Sequence, residues 1–107
     1  MKEIILTTDD NGSEIVLKLG DSIKILLEEN ATSGYTWELN NDLPEQLVEI
    51  ENDFKTSNQE GIGVSGQRVL TYQVQKKGNG VLSLKYWQFW NGDTSIADKF
   101  QISLDVK

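Results

Sequence analysis

Short runs in which apolar and polar residues alternate dominate this chain. The pattern is clearest near the C-terminus, where polar residues separate Phe100, Ile102, Leu104 and Val106. It recurs in four earlier segments, at residues 15–19, 23–27, 70–74 and 82–86. A two-residue period places alternate side chains on opposite faces of a β-strand. No segment keeps the apolar stripe of an amphipathic helix for two clean turns, so the pattern predicts an all-β fold.

Turn-forming residues separate these runs. Asp10-Asn11-Gly12 carries the Asn-Gly signal of a tight hairpin, and Gly20-Asp21 and residues 77–80 mark further boundaries. Together they predict eight strands, at about 3–8, 14–19, 22–28, 35–39, 47–54, 67–76, 80–88 and 97–106. Many short strands with regular turns are typical of an immunoglobulin-like β-sandwich. At 107 residues the chain is expected to form a single domain, residues 1–107.

Three of the predicted connections are longer than a tight turn: loop 1 (residues 29–35), loop 2 (55–66) and loop 3 (89–96). They are the third, fifth and seventh connections along the chain. In an antiparallel sandwich successive strands run in opposite directions, so alternate connections emerge at the same end. The three loops are therefore predicted to cluster at one end of the sandwich.

These loops differ in composition from the rest of the chain. Residues 30–37, 61–67 and 86–92 carry no charge in a sequence that is 25% charged. Aromatic side chains with small neutral neighbours are typical of a binding surface. Trp37 and Tyr86 fall on inward-facing positions, which predicts that they lie in the core. Because Trp87 and Trp90 are three positions apart they cannot both point inward, and Trp90 is predicted to be a contact residue.

Two residue types are absent, and their absence removes most catalytic chemistry. Without Cys there is no thiolate nucleophile, disulfide or zinc–thiolate site. Without His there is no imidazole base, and no Ser-His-Asp or Cys-His arrangement is possible. The acidic residues show no paired-carboxylate signature. We therefore predict neither an enzyme nor a protein that needs a cofactor or metal.

The charge balance narrows the range of partners. The chain has 17 acidic and 10 basic residues and a formal net charge of -7, which repels nucleic acid and anionic membranes. The N-terminus lacks the apolar region and small-residue cleavage site of a signal peptide. No apolar run approaches the roughly 20 residues of a membrane span. We expect a monomer that is cytoplasmic, or the mature form of a secreted or periplasmic protein.

Three motifs stand at the loops: Asn30-Ala31-Thr32-Ser33-Gly34-Tyr35 followed by Trp37, then Gly63-Val64-Ser65-Gly66, and lastly Tyr86-Trp87-Gln88-Phe89-Trp90. In order and spacing, over essentially the whole chain, they resemble the chagasin (ICP) family of cysteine protease inhibitors. That family carries Asn-Pro-Thr-Thr-Gly-Tyr/Phe and a nearby Trp in its first loop, Gly-x-Gly-Gly in its second and Tyr-x-Arg-Pro-Trp in its third.

The resemblance implies a reversible, tight-binding inhibitor of papain-like cysteine proteases, such as papain and cathepsin L-like enzymes. The family's three loops form a wedge that fills the protease cleft, with loop 1 over the catalytic cysteine and Thr32 approaching the active site. This chain departs from the family at Ala31 (proline), Ser65 (glycine) and Gln88-Phe89 (Arg-Pro), and the lost proline is expected to loosen loop 1. The implied protease-binding residues are Asn30, Ala31, Thr32, Ser33, Gly34, Tyr35, Gly63, Val64, Ser65, Gly66, Gln88, Phe89 and Trp90.

Other interpretations of the same residues stay open. Exposed aromatic rings with Asn and Gln also suit a carbohydrate-binding or adhesion module on this scaffold. Burial of the loops against a neighbouring domain would instead give a structural role. The glycines of loop 2 are also compatible with plain turns, and Asn30-Ala31-Thr32 matches an N-glycosylation acceptor.

Overall fold

The computed structural model describes residues 1–30, 33–56 and 65–107 and shows a two-layer β-sandwich. All eight predicted strands are confirmed within these residues, with ends that differ from the prediction by at most two positions. The elements are β1 (Glu3–Leu6), the short 3-10 helix η1 (Thr8–Asp10), β2 (Glu14–Leu17), β3 (Ser22–Asn30), β4 (Thr36–Leu39), β5 (Leu47–Thr56), β6 (Ser65–Val74), β7 (Gly78–Trp87), the 3-10 segment η2 (Phe89–Ser95) and β8 (Asp98–Val106). Nowhere in these ranges is there a helix with the length and apolar character of a membrane span.

The strands form two four-stranded sheets, with orders β1-β3-β6-β5 and β2-β8-β7-β4. Neighbouring strands are antiparallel, except that β1 is parallel to β3 and β2 is parallel to β8. If the chain reverses direction at every connection, all odd-numbered strands run one way and all even-numbered strands run the other way. Both parallel pairs fit this rule, because β1 and β3 are both odd-numbered and β2 and β8 are both even-numbered. The predicted immunoglobulin-like sandwich is confirmed.

The connection between β1 and β2 is not the tight hairpin that Asp10-Asn11-Gly12 predicted, and that prediction was wrong. The two strands lie in different sheets, and η1 carries the chain across between them. Gly12 has φ of 86° and donates its N–H to the Gln101 carbonyl at 2.7 Å. The Asn11 side chain accepts the Gln101 N–H at 2.8 Å. The Asn-Gly pair therefore fastens a sheet-crossing segment to β8.

The apolar face of each long strand points into the space between the sheets. Trp37 is 4% exposed, which confirms its predicted place in the core, whereas Tyr86 is only partly buried and packs against that core. Each buried aliphatic side chain stabilises the fold by roughly 1.5–3 kcal/mol relative to an exposed one. Among the described residues, the most completely buried aliphatic side chains are those of Leu17, Ile23, Ile25, Leu27, Leu82 and Ile102.

A buried carboxylate fixes the end of the sandwich at which β3 begins. Asp21 accepts the backbone N–H of Lys18 at 3.0 Å and that of Lys2 at 3.1 Å. These hydrogen bonds, of which that from Lys18 contributes most, lower the pKa of Asp21 from its ordinary value of 3.8 because they favour the ionised form. The Asp21 side chain thereby ties the N-terminal segment to the turn between β2 and β3.

Candidate functional site

The stem of loop 1 is built from the ends of β3 and β4. The N–H of Asn30 donates to Tyr86 Oη at 3.0 Å, and the Trp37 indole N–H donates to the Glu28 carbonyl at 2.9 Å. The rings of Trp37 and Tyr86 stack with centroids 5.0 Å apart, and Tyr35 packs against Tyr86 at 5.3 Å. Both described ends of the loop are thus tied to one tyrosine of β7.

A buried ion pair supports the same stem. Glu29 lies on the inward face near the end of β3 and is only 3% exposed. Its carboxylate accepts hydrogen bonds from Arg68 Nη2 at 2.6 Å and Nε at 3.2 Å, and from the backbone N–H of Trp37 at 2.8 Å. A buried carboxylate is tolerated when a cation and hydrogen bonds replace its lost hydration, and Glu29 has both. The pair joins β3, β6 and β4 at the base of loop 1.

Loop 1 itself is shaped by Ser33 and Gly34. Ser33 Oγ donates to the Asn30 carbonyl at 2.8 Å and accepts the Tyr35 N–H at 3.2 Å. Gly34 has φ of 78°, a left-handed conformation that is strained for any residue with a Cβ. A Cβ on Gly34 would also stand 2.5 Å from Cη2 of Trp90. Glycine is therefore needed here both for the turn and for the close packing of the Trp90 ring.

The start of loop 3 contacts loop 1 and carries two exposed aromatic residues. Gln88 Nε2 donates to the Ser33 carbonyl at 3.0 Å, and Asn91 Nδ2 donates to Gln88 Oε1 at 2.6 Å. The rings of Phe89 and Trp90 meet edge to face, with centroids 5.1 Å apart and planes at 87°. Phe89 is 65% exposed and Trp90 57% exposed. Trp90 is therefore held by loop 1 yet keeps more than half of its surface accessible.

Loop 2 ends beside loop 1. The backbone of Ser65 pairs with Asn30, and that of Gly66 pairs with Glu29. Gly66 is buried and permits a close approach of β5, because a Cβ there would lie 2.5 Å from the carbonyl oxygen of Lys55. At Gly66 the sequence therefore needs glycine for packing between strands.

The described ends of the three loops converge at one end of the sandwich, as the count of connections predicted. The predicted protease-binding residues found there are Asn30, Ser33, Gly34, Tyr35, Ser65, Gly66, Gln88, Phe89 and Trp90. The others, Ala31, Thr32, Gly63 and Val64, lie outside the described residues. That any of these residues contacts a protease stays a prediction.

Two clefts lie beside the described ends of these loops. One of about 260 Å³ opens between the edge strands β4 and β5, and one of about 320 Å³ lies between β3 and the sheet that contains β7 and β8. Residues 33–37 and 86–92 are uncharged, and Phe89 and Trp90 among them are exposed. Among the residues with described positions, no cluster of acidic side chains could hold a metal ion. The arrangement suits insertion into a groove of another protein.

Glu29 and Arg68 were not predicted from the sequence as supports of this site. A signal for Glu29 was present, because it continues the inward-facing series of Ile23, Ile25 and Leu27 along β3. A carboxylate in such a series requires a buried partner. The sequence gives no comparable sign that Arg68 is that partner.

The sequence matches the chagasin family of peptidase inhibitors, family I42, over residues 16–104. The chain belongs to this family. Chagasin from Trypanosoma cruzi is 22% identical to it over 103 residues, which cover 92% of this chain and 94% of chagasin. The family predicted from the three motifs is confirmed.

Solved structures of similar proteins share the fold. EhICP2, a cysteine protease inhibitor from Entamoeba histolytica, has a TM-score of 0.85 at 20% identity, over 100% of this chain and 97% of EhICP2. PbICP-C, solved in complex with falcipain-2, has a TM-score of 0.65 at 16% identity, over 100% of both chains.

Membership of the chagasin family also decides between the functions left open by the sequence. Inhibition of cysteine proteases, the predicted role, is the role of this family. Membership of an inhibitor family argues against an enzyme. These comparisons give no support to the carbohydrate-binding or adhesion alternative.

Proposed function

We propose that this chagasin-family chain inhibits papain-like cysteine proteases reversibly and tightly by inserting the loop end of its sandwich into the active-site cleft. The observation that carries this proposal is the contact between the Trp90 ring and Gly34. Despite this contact, 57% of the Trp90 surface stays exposed. A ring that its own protein already holds in place loses little conformational freedom on binding. Trp90 is therefore suited to be the main aromatic anchor of the complex.

The neutral tip supports entry into a narrow groove. Gln88 stands where the family has arginine, and its side chain bonds Ser33 and Asn91 within the molecule. Uncharged backbone and aromatic rings enter a cleft without the desolvation cost of buried ions. By the family resemblance, loop 1 lies over the catalytic cysteine and Thr32 approaches the active site.

Inhibition of this kind requires no chemistry from the inhibitor. The chain contains no cysteine and so cannot exchange disulfides with a thiol protease or with reductants. We expect no turnover of any substrate and recovery of the inhibitor uncleaved from a one-to-one complex. The naming of EhICP2 as a cysteine protease inhibitor and the complex of PbICP-C with falcipain-2 support this class of target.

Titration of papain with the purified protein tests the proposal. The wild type is expected to inhibit tightly and reversibly. Trp90→Ala is expected to raise Ki about 30-fold, since a hot-spot aromatic contributes about 2 kcal/mol. Thr32→Asp should also weaken inhibition by placing a charge in the cleft. Lys77→Ala, in the turn between β6 and β7 at the other end of the sandwich, is the control and should keep the wild-type Ki.

Two results would contradict the proposal. The first is an absence of inhibition toward both papain and a cathepsin L-like enzyme, which would remove the target class. The second is an equal change in Ki for Trp90→Ala and Lys77→Ala, which would show that the loop end does not enter the cleft.

A further inference from the structure

The hydroxyl of Ser95 closes the segment that presents Phe89 and Trp90. Ser95 Oγ accepts the N–H of Gln88 at 3.0 Å and lies 2.7 Å from the Gly92 carbonyl and 3.0 Å from the Gln88 carbonyl, to one of which it donates. The backbone kinks at Gly92, where φ is 68°. A serine hydroxyl offers one proton and two lone pairs, so this single side chain joins the start and the end of the segment through its turn.

We propose that Ser95 is a positioning residue of the inhibitor. Its hydroxyl holds the two ends of the segment 88–95 together, so that the Trp90 ring already packs against Gly34 before the protease binds. The inference rests on the proposed function. Ser95 belongs to none of the three motifs and is only partly exposed, in contrast to Phe89 and Trp90. It therefore acts through the placement of Trp90 rather than by contact with the protease.

Through Gln88 the same hydroxyl also influences loop 1. Ser95 holds the backbone N–H of Gln88, while the side chain of Gln88 donates to the Ser33 carbonyl. Removal of the hydroxyl leaves this part-buried N–H without its acceptor and allows the segment to open. The ring of Trp90 would then have to be ordered during binding, which lowers affinity.

Neighbouring side-chain contacts do not replace the bonds of Ser95. The ion pair between Lys85 Nζ and Asp93 Oδ1 is 3.6 Å long, and the Asp93 side chain is 83% exposed. Although the Lys85 side chain is only 11% exposed, the carboxylate of this long pair is hydrated, so the pair contributes little. Thr94 Oγ1 donates to the Asn91 carbonyl at 3.2 Å, and this bond is also exposed and spans only three residues.

The test compares Ser95→Ala and Ser95→Thr with a matched control, Ser103→Ala. Ser103 lies on β8, and its hydroxyl has no hydrogen-bond partner among the described residues, so its loss removes the same group without opening a loop. For each variant we would measure Ki toward papain, the exchange rate of the Gln88 amide proton in the free protein, and Tm.

Ser95→Ala is expected to raise Ki about tenfold and to accelerate exchange of the Gln88 amide, with a fall in Tm of only a few degrees. Ser95→Thr, which keeps the hydroxyl, should restore both values, and Ser103→Ala should change neither. A wild-type Ki for Ser95→Ala would overturn this inference and leave the proposed function standing. Wild-type protein that fails to inhibit would overturn the proposed function, and an unchanged Gln88 exchange rate in Ser95→Ala would separately overturn the closing role of Ser95.

Discussion

Gly34 and Gly12 have similar left-handed backbones, with φ of 78° and 86°, but differ in what a side chain would meet. A methyl group on Gly34 would press against the ring of Trp90, whereas one on Gly12 would have nothing within 4 Å. Alanine at either position is expected to lower the free energy of unfolding by about 1 kcal/mol through backbone strain. Only Gly34→Ala is expected to weaken inhibition of papain, because only it displaces Trp90.

Urea unfolding and Ki, measured on both glycine variants, separate the two effects. Equal losses of stability would show that each substitution strains the backbone to a similar extent. Equal Ki values for Gly34→Ala and Gly12→Ala would mean that the position of Trp90 has no bearing on inhibition.

Asp21 gives the stability of the fold a dependence on pH. Its pKa is lower in the folded protein than in the unfolded chain, so its contribution is present above the ordinary value of 3.8 and is lost as the pH falls through the folded value. Asp21→Asn should therefore be less stable than the wild type at pH 7, with a gap that narrows below about pH 4. Urea unfolding of both proteins at several pH values in this range measures the difference in stability. A difference that does not change with pH would contradict the lowered pKa of Asp21.

Individual contacts differ in how far the sequence reveals them. Trp37 could be assigned to the core and Trp90 to the surface because strand alternation fixes which way a side chain points. The bond from Gln88 to Ser33 could not be predicted, because the two residues are 55 positions apart and only the closed sandwich brings them together. The motifs thus identified candidate residues without showing how they hold one another.

Strands β3 and β6 carry the buried ion pair on which the base of loop 1 rests. Arg68→Leu would leave the Glu29 carboxylate buried without a cation, since both of its oxygens lie on the Arg68 guanidinium. We expect a loss of roughly 3 kcal/mol in the free energy of unfolding. The double variant Glu29→Leu/Arg68→Leu should lose less than Arg68→Leu alone, because no unpaired charge remains.

Lys55→Leu is the control for this prediction. It breaks the pair between Lys55 and Glu51 on β5, in which the lysine side chain is 54% exposed, and should cost less than 1 kcal/mol, about the limit for exposed pairs. Chemical denaturation of all variants gives the comparison. A loss for Arg68→Leu as small as that for Lys55→Leu would show that Glu29 finds other compensation.

The strands were predictable because alternation and turn residues are local signals, whereas the pairing of strands is not. Asn11-Gly12 marked a turn correctly, yet nothing local indicates that the chain there changes sheets instead of folding back. Strand β3 extends to Asn30, beyond its predicted end, because polar residues at its end pair with β6. Pairing of this kind depends on residues distant in sequence and leaves no local pattern.

At the scale of the whole molecule, the direction of each strand decides at which of the two ends of the sandwich the following connection lies. Loops 1, 2 and 3 emerge where β3, β5 and β7 finish, and the turn with Lys76-Lys77 lies at the other end. This division followed from counting strands, so it could be predicted without knowing which sheet each strand joins. How far each loop projects could not be predicted from the sequence, since it depends on contacts such as that between Gly34 and Trp90.

Hydrogen–deuterium exchange of the chain, free and bound to papain, tests most directly whether the loop end is the surface that meets the protease. Amides of residues 33–36 and 88–92 should exchange more slowly in the complex, while those of residues 75–78, at the other end, should exchange as in the free protein. Slower exchange at residues 75–78, with no change at 33–36 and 88–92, would contradict the account.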